Sequence, residues 1–83
     1  MKIHTVADID GFLRYVIFDL GLGWDFHPDD DFSAYGKPDK DEARFTDEES
    51  EELNRLIDRC FEVAEKCHKD IYKLTLDLQL TIE

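Results

Sequence analysis

The chain has 83 residues, of which 42% are hydrophobic and 37% are charged, and its formal net charge is -11. That length predicts one domain with one modest core, and the apolar content excludes a disordered acidic tail. The charge argues against direct binding to nucleic-acid phosphates or to anionic membranes, since both need a basic patch. We therefore expect a single folded domain, residues 1–83, whose partners are neutral or basic.

The cellular setting is predicted from the N-terminus and the cysteines. No basic region precedes an apolar run, and the most apolar stretch, FLRYVIFDL, is broken by Arg14 and Asp19. We therefore expect neither export nor membrane insertion. Cys60 and Cys67 are seven residues apart in one predicted helix, about 10 Å along its axis, which is too far for a disulfide. These features predict a cytoplasmic protein.

The first predicted helix runs from about Ala7 to Leu20, where apolar residues recur at steps of three and four. Thr5 is its expected N-cap, and Asp8 three residues later completes a variant of the capping box. Gly21 and Gly23 are expected to end the helix in left-handed conformations. The apolar stripe consists of Val6, Ile9, Leu13, Val16, Ile17 and Leu20.

The following segment, Gly21 to Phe45, lacks sustained periodicity and is predicted to be a loop with one helical turn at DDFSAY. A loop this long in a small domain is either anchored by its own side chains or functional. We expect its aromatic residues to pack over Tyr15 and Phe18, which lie off the apolar stripe of the first helix; the alternative is that these two side chains contact a partner. The loop aromatics are Trp24, Phe26, Phe32, Tyr35 and Phe45.

The second helix is predicted to begin at Thr46, because Thr46 and Glu49 match a full capping box, and to end near Lys69. Its periodicity places Cys60 and Cys67 on the buried stripe, where core packing explains them better than metal binding. His68 is expected in the last turn, where a partly positive ring suits the negative end of the helix dipole.

The last segment, IYKLTLDLQLTIE, alternates apolar and polar residues from Tyr72 to Glu83 without exception, which predicts a half-buried β-strand. Its backbone needs a neighbour, and the N-terminal MKIHT is too short to pair along the whole strand. We therefore expect an α+β fold in which two antiparallel helices pack on a small sheet formed by this strand, with or without a short N-terminal strand. Homodimerisation through the strand would complete the sheet, and donation of the strand to another protein is the alternative.

The stretch GWDFHPDDDFSAYGKPD, residues 23–39, is the candidate for chemistry. Aligned as an EF-hand from Asp29, it has Ala34 where glycine is required and Lys40 where a bidentate glutamate is required, so no calcium loop is predicted. His27, His68, Cys60 and Cys67 do not make a zinc signature, because both cysteines are expected on the buried stripe of the second helix and no histidine pair has ligand spacing. Because we find no activated nucleophile, phosphate cradle or oxyanion hole, we expect no enzyme activity and no cofactor. Pro28 is expected to start a turn whose aspartates cap exposed amides.

Two stretches, DFHPDDDFSAY and RFTDEESEELNRLIDRCFEVAEK, resemble a group of small acidic bacterial proteins often found near mobile genetic elements. The resemblance rests on the run Phe26-His27-Pro28-Asp29 with Phe32 and Tyr35, and on the helix that follows. It covers about half of the chain and carries no known activity. It implies a bacterial cytoplasmic setting and a regulatory or inhibitory role.

The function that we expect is therefore a non-enzymatic interaction module that binds a basic protein through the region Asp25 to Glu52. That region has twelve acidic residues against Lys37, Lys40 and Arg44. Its extreme form is a nucleic-acid mimic, and weak divalent-metal binding by Asp29–Asp31 is the alternative. The expected contact residues are Trp24, Phe26, Asp29, Asp30, Asp31, Phe32 and Tyr35.

Overall fold

The fold is built from three α-helices. The computed structural model describes residues 2–37 and 40–82, with the backbone alone for residues 37 and 40–43. The helices are α1 (Val6–Arg14), α2 (Asp47–Lys66) and α3 (Ile71–Gln79). Each helix packs against the other two, so the bundle needs no sheet to close its core. Within the described ranges, no helix is long and apolar enough to cross a membrane.

The segment between α1 and α2 contains short turns and one hairpin. Two 3₁₀ turns lie at Gly23–Asp25 and Phe32–Ala34, and the second confirms the helical turn predicted at DDFSAY. A short antiparallel pair follows, formed by β1 (Gly36–Lys37) and β2 (Lys40–Ala43). This hairpin belongs to the loop and does not involve the C-terminal segment.

The first helix begins as predicted. The Asp8 amide donates to Thr5 Oγ1 over 3.2 Å, and the Thr5 amide donates to the Asp8 carboxylate over 3.1 Å, which completes the capping box. A π-helical turn, Tyr15–Asp19, extends α1 almost to the predicted end. Gly21 and Gly23 then adopt φ angles of 74° and 53°, the left-handed region that favours glycine.

The second helix also begins at its predicted capping box, with Thr46 Oγ1 accepting from the Glu49 amide over 3.1 Å. It ends three residues before the predicted position. The chain turns through His68 at φ 56°, and the Lys69 amide donates to the Ala64 carbonyl over 2.8 Å, which is a Schellman motif. His68 therefore lies just beyond the helix, and its expected place in the last turn was wrong.

The buried apolar side chains form one cluster that joins the three helices and the loop. Cys60 belongs to it, but Cys67 is exposed, so the prediction that both cysteines lie on the buried stripe was wrong for Cys67. Phe18 is 44% exposed, so the loop does not cover it as we expected. The loop and α1 contribute Ile9, Phe12, Leu13, Val16, Ile17, Leu22, Phe26, Phe32 and Phe45 to the cluster.

The predicted C-terminal strand was wrong, because that segment forms α3. Asp70 is its N-cap and accepts from the Tyr72 amide over 2.9 Å. The buried positions, Ile71, Thr75, Leu78 and Gln79, follow helical spacing and include two polar residues. The alternating pattern had placed both polar residues on the solvent side, whereas the helix turns them inward.

The two buried polar side chains of α3 keep their hydrogen bonds, which is why the helix can bury them. Thr75 Oγ1 donates to the Ile71 carbonyl over 2.8 Å. Gln79 Nε2 donates to the carbonyls of Gly23 over 3.0 Å and Phe26 over 2.8 Å, and so fastens α3 to the loop.

The expected α+β fold and the sheet completed by dimerisation are both replaced by the helical bundle. The N-terminal segment is not a strand either: Ile3 is buried, and its carbonyl accepts from Arg59 Nε over 3.0 Å. A homodimer through the edge of a C-terminal strand has no strand to use. Met1 and Glu83, the outer ends of the two predicted strands, lie outside the described residues.

Candidate acidic interaction surface

The aromatic residues predicted to contact a partner divide into buried and exposed members. Phe26 and Phe32 are 3% and 0% exposed, and Tyr35 is half-buried. The Phe32 ring lies 5.9 Å from that of Phe26, 5.8 Å from Tyr35 and 6.0 Å from Phe45, between ring centroids. Phe26 and Phe32 therefore anchor the loop to the core and cannot reach a partner in this fold. Trp24, which is 55% exposed, remains accessible.

Asp31 joins the loop to α2 through Asn54. Its carboxylate caps the following 3₁₀ turn by accepting from the Ser33 amide over 2.9 Å, and it accepts from Asn54 Nδ2 over 2.8 Å. The hydrogen bond from Asn54, followed by those from Ser33, lowers the pKa of Asp31. Asn54 Oδ1 in turn accepts from the Phe32 amide over 3.0 Å. The predicted capping role is confirmed for this aspartate.

The other two aspartates have tyrosine partners. Tyr35 Oη donates to Asp30 over 3.0 Å and accepts from the His27 amide over 3.1 Å. Partial burial, with a contribution from the hydrogen bond to Asp30, raises the pKa of Tyr35 to about 12. Asp29 accepts from Tyr72 Oη of α3, and this hydrogen bond raises the pKa of Tyr72. The loop is thus held to both α2 and α3 by its own acidic side chains.

A row of polar residues on α2 faces these aspartates. Asp47, Glu51, Asn54 and Asp58 are spaced four, three and four residues apart, which places them on one face of the helix. A cleft of about 400 Å³ between the loop and α2 is lined on its polar side by Asn54, Asp58 and the three loop aspartates. A neighbouring cleft of about 270 Å³ is lined by Asp31, Ser33, Asp47, Ser50, Glu51 and Asn54.

We define the acidic surface as the carboxylates that line these two clefts. No lysine or arginine lines either cleft among the residues whose side chains are described. Trp24 lines neither of them. Asp39, Asp41 and Glu42, which belong to the predicted Asp25 to Glu52 region, have side chains outside the described set. The acidic surface consists of Asp29, Asp30, Asp31, Asp47, Glu51 and Asp58.

A third cleft, of about 300 Å³, lies on the other side of the α2 N-terminus and has an apolar floor with an acidic rim. Two of its three glutamates have partners: Glu49 closes the capping box, and Glu52 pairs with Arg55. The floor and rim are formed by Tyr15, Leu20, Phe45, Leu53, Glu48, Glu49 and Glu52. The predicted acidic region is therefore divided between two sides of α2.

Asn54, Asp58 and Tyr72 were not predicted from the sequence as parts of this site. The four-three-four spacing from Asp47 to Asp58 could have revealed the row on α2. The contact of Tyr72 with Asp29 could not have been found, because a strand was predicted where Tyr72 lies.

Metal binding and nucleophilic chemistry depend on how histidine, cysteine and acidic side chains are grouped. Among the described residues, no group of three or more His, Cys, Asp or Glu side chains could hold a metal ion. His27 Nδ1 accepts from the Asp29 amide over 3.3 Å and so takes part in the local turn. Burial raises the pKa of the Cys60 thiol to about 12, which makes it a poor nucleophile at neutral pH.

Comparison of the chain with protein-family models, curated proteins and solved structures finds no match. The resemblance to small acidic bacterial proteins therefore stays a prediction. Any proposal about function depends on the geometry of the described residues.

Proposed function

We propose that this chain is a non-enzymatic interaction module that binds a basic protein through its acidic surface. The observation that carries the proposal is the convergence of loop and α2 carboxylates around Asn54, in two adjoining clefts that no described basic side chain lines. A module of this kind acts by covering its partner's basic surface, so its role would be regulatory or inhibitory. A bacterial cytoplasmic setting stays a prediction.

The shape of the clefts favours single basic side chains as occupants. Clefts of about 400 and 270 Å³ that open on the surface can take the end of a lysine or arginine side chain. A guanidinium group can donate two parallel hydrogen bonds to one carboxylate, and such pairs are among the strong charge-assisted interactions. Several carboxylates of one sign also steer a basic partner toward the surface before contact.

The loop carboxylates are ordered before any partner arrives. Asp31 is held by Asn54 and Ser33, Asp30 by Tyr35, and Asp29 by Tyr72. An ionised carboxylate has about four lone-pair sites, so each of these groups retains the capacity to accept from a partner. Groups that are already fixed lose less conformational entropy on binding, which favours affinity.

The test uses the α2 row, because changes at Asp31 would break its hydrogen bonds to the loop and to Asn54. The surface variant combines Asp47→Asn, Glu51→Gln and Asp58→Asn. The control variant removes the same charge elsewhere and combines Asp19→Asn, Glu62→Gln and Glu65→Gln. Far-ultraviolet circular dichroism checks that both remain folded. Each immobilised protein is then exposed to native cell extract, and the retained proteins are identified by mass spectrometry.

The proposal expects a basic protein that the wild type and the control variant retain and the surface variant loses. Its affinity should also fall as the salt concentration rises, since exposed charges are screened beyond the Debye length. If all three proteins retained the basic protein, or if both variants lost it equally, the result would contradict the proposal. The metal-binding alternative through Asp29–Asp31 has no specific observation in its favour, and we do not propose it.

A further inference from the structure

The outer face of α3 and its C-cap residue, Leu80, carry a row of exposed apolar side chains. Tyr72, Leu76 and Leu80 are four residues apart and are 44%, 47% and 64% exposed. At 1.5 Å per residue the row is about 12 Å long. The other two large apolar side chains exposed among the described residues, Phe18 and Trp24, lie in turns. Exposed apolar residues grouped on one helix face are typical of an interaction site.

An apolar cleft continues this row at its N-terminal end. It has a volume of about 410 Å³ and lies between the end of α2 and the start of α3. Phe61, Ala64 and Tyr72 line it, and the Phe61 and Tyr72 rings meet edge to face with centroids 5.9 Å apart. The face therefore offers both an apolar ridge and an apolar depression beside it.

The face carries little charge compared with the acidic surface, where six carboxylates line two clefts with no described basic side chain. Lys69 and Lys73 carry two positive charges, and Asp29, Glu65, Asp70 and Asp77 carry four negative charges, so their sum is 2 - 4 = -2 against a net charge of -11 for the chain. Two strongly acidic chains can approach each other most easily where the local charge is small. A second copy of this chain is therefore compatible with this face.

We propose that two copies of the chain pair through α3 in an antiparallel arrangement about a two-fold axis at Leu76. Leu76 then opposes Leu76 of the partner, and Tyr72 opposes Leu80 of the partner. Because α3 places Tyr72 beside the apolar cleft, the partner's Leu80 lies at the mouth of that cleft. The two-fold relation makes the same contact twice, which is the ordinary form of a homodimer interface.

The flanking charges select the antiparallel arrangement. Lys73 and Asp77 follow Tyr72 and Leu76 on the solvent side of the row. A two-fold axis perpendicular to both helices keeps this flank on the same side, and Lys73 comes within about 3 Å of the partner's Asp77 along the helix axis. A parallel pair about a two-fold axis along the helices would place this flank on opposite sides of the interface, so neither charge would meet the opposite charge of the partner. The ion pair forms twice in the antiparallel dimer and never in the parallel one.

The interface is small, so the dimer is weak and reversible. A stable interface buries about 800 Å² on each partner, more than one face of a nine-residue helix provides. We therefore expect dissociation within the protein concentrations that sedimentation experiments reach. The dimer face adjoins the larger acidic cleft, because Phe61 lines both and Tyr72 donates to Asp29, but formation of the dimer does not depend on the proposed function.

The first experiment is sedimentation equilibrium over a range of protein concentrations, with Leu76→Glu as the test variant and Phe18→Glu as the matched control. The average mass of the wild type should rise from that of one 9.8 kDa chain toward twice that value. Leu76→Glu should raise the dissociation constant by about tenfold or more, as expected for a central interface residue, while Phe18→Glu should not change it. A monomer at every concentration, or a dimer unaffected by Leu76→Glu, overturns the proposal.

Charge exchange tests the arrangement itself. Lys73→Glu and Asp77→Lys should each weaken the dimer, because each places like charges together across the two-fold axis. The double variant restores opposite charges and should recover most of the lost association. Failure of the double variant to recover, with circular dichroism showing an intact fold, overturns the antiparallel arrangement.

Cross-linking provides an independent readout. In a Cys67→Ser background, Leu76→Cys places two thiols at the two-fold axis, and mild oxidation should yield a disulfide-linked dimer. The thiol of Phe18→Cys in the same background lies away from the two-fold axis, so this variant should remain monomeric on a gel run without reducing agent. Equal cross-linking of both variants would show non-specific collision and would overturn the proposed axis.

Discussion

Replacement of Gln79 by leucine tests how much the link between α3 and the loop contributes to stability. Gln79 is 7% exposed and donates to the carbonyls of Gly23 and Phe26. Leucine fills a similar volume but cannot donate. Each lost hydrogen bond costs about 1 kcal/mol, and a buried carbonyl left without a partner costs about 1–3 kcal/mol. We expect the variant to lose about 2–4 kcal/mol in total, a large part of the roughly 4–12 kcal/mol expected for a chain of this length.

Urea denaturation measures this loss through two signals, far-ultraviolet circular dichroism for the helices and Trp24 fluorescence for the turn beside Gly23. The control is Lys73→Leu at low protein concentration, which adds the same side chain at an exposed position of α3 and should change the free energy of unfolding little. A loss below about 0.5 kcal/mol for Gln79→Leu would refute the reasoning, because surface substitutions alone produce changes of that size.

The isosteric change Gln79→Glu adds a pH signature. An ionised carboxylate at this position would face two carbonyl oxygens, so the folded protein should raise the pKa of this glutamate above its unfolded value. The folded state then binds the proton more tightly, and the stability of the variant should rise as the pH falls through the folded pKa. Wild type and Gln79→Leu should lack this recovery, which identifies the two carbonyls as its cause.

Three further predictions concern helix ends and acid stability. His68→Gly should raise the free energy of unfolding by about 1 kcal/mol, because glycine adopts a φ of 56° without strain, whereas His68→Ala should not; urea denaturation compares them. Thr46→Ala should lower the thermal midpoint by removing about 1 kcal/mol of capping free energy, and an unchanged midpoint would contradict the role of the capping box. Asp8, Asp31 and Glu49 have pKa values lowered chiefly by hydrogen bonds from amide groups. The free energy of unfolding that these three carboxylates contribute is present above their unfolded pKa values and is lost as the pH falls through their folded pKa values. Asp31→Asn should therefore reduce the slope of the free energy of unfolding against pH in acid. An identical slope in wild type and variant would count against this contribution from Asp31.

The starts of α1 and α2 could be predicted because their determinants are local. A capping box involves residues three apart, and Thr5 with Asp8 and Thr46 with Glu49 form it inside one turn. Gly21, which ends the first helix in a left-handed conformation, is also a local signal. By contrast, α2 ends at Lys66, and the residue beyond it that adopts the left-handed conformation is His68 instead of the glycine that usually marks such an end.

The segment that forms α3 was mispredicted because it satisfies two periods at once. Its leucines alternate as in a strand, yet Ile71, Leu74, Leu78 and Ile82 are also three and four residues apart, as in a helix. The choice between a strand and a helix depends on whether the polar side chain of Gln79 can be buried. It can, because its partners are two loop carbonyls more than fifty residues earlier in the chain, and such a contact is invisible to any local pattern.

The acidic composition of this surface could be predicted from the sequence, but the contacts that hold its side chains in place could not. The excess of acidic residues between Asp25 and Glu52 is evident from the sequence, whereas the contact of Asp31 with Asn54, 23 residues later, is not. Two of the predicted contact residues, Phe26 and Phe32, belong to the core instead. An aromatic residue in a loop can anchor that loop or meet a partner, and only its burial distinguishes the two.

The two proposals respond to salt in opposite directions, which makes them separable in one titration. Binding of a basic partner depends on attraction between unlike charges, so added salt weakens it. Pairing through α3 brings together two chains of net charge -11, and its apolar contacts are opposed by long-range repulsion that salt screens. Its exposed ion pairs contribute only about 0.2–1 kcal/mol each, so screening of the repulsion dominates and added salt strengthens the dimer. Because a dimer carries two acidic surfaces, a partner with two basic sites would bind it more tightly than the monomer, and that gain should disappear in Leu76→Glu while the affinity of each single site stays unchanged.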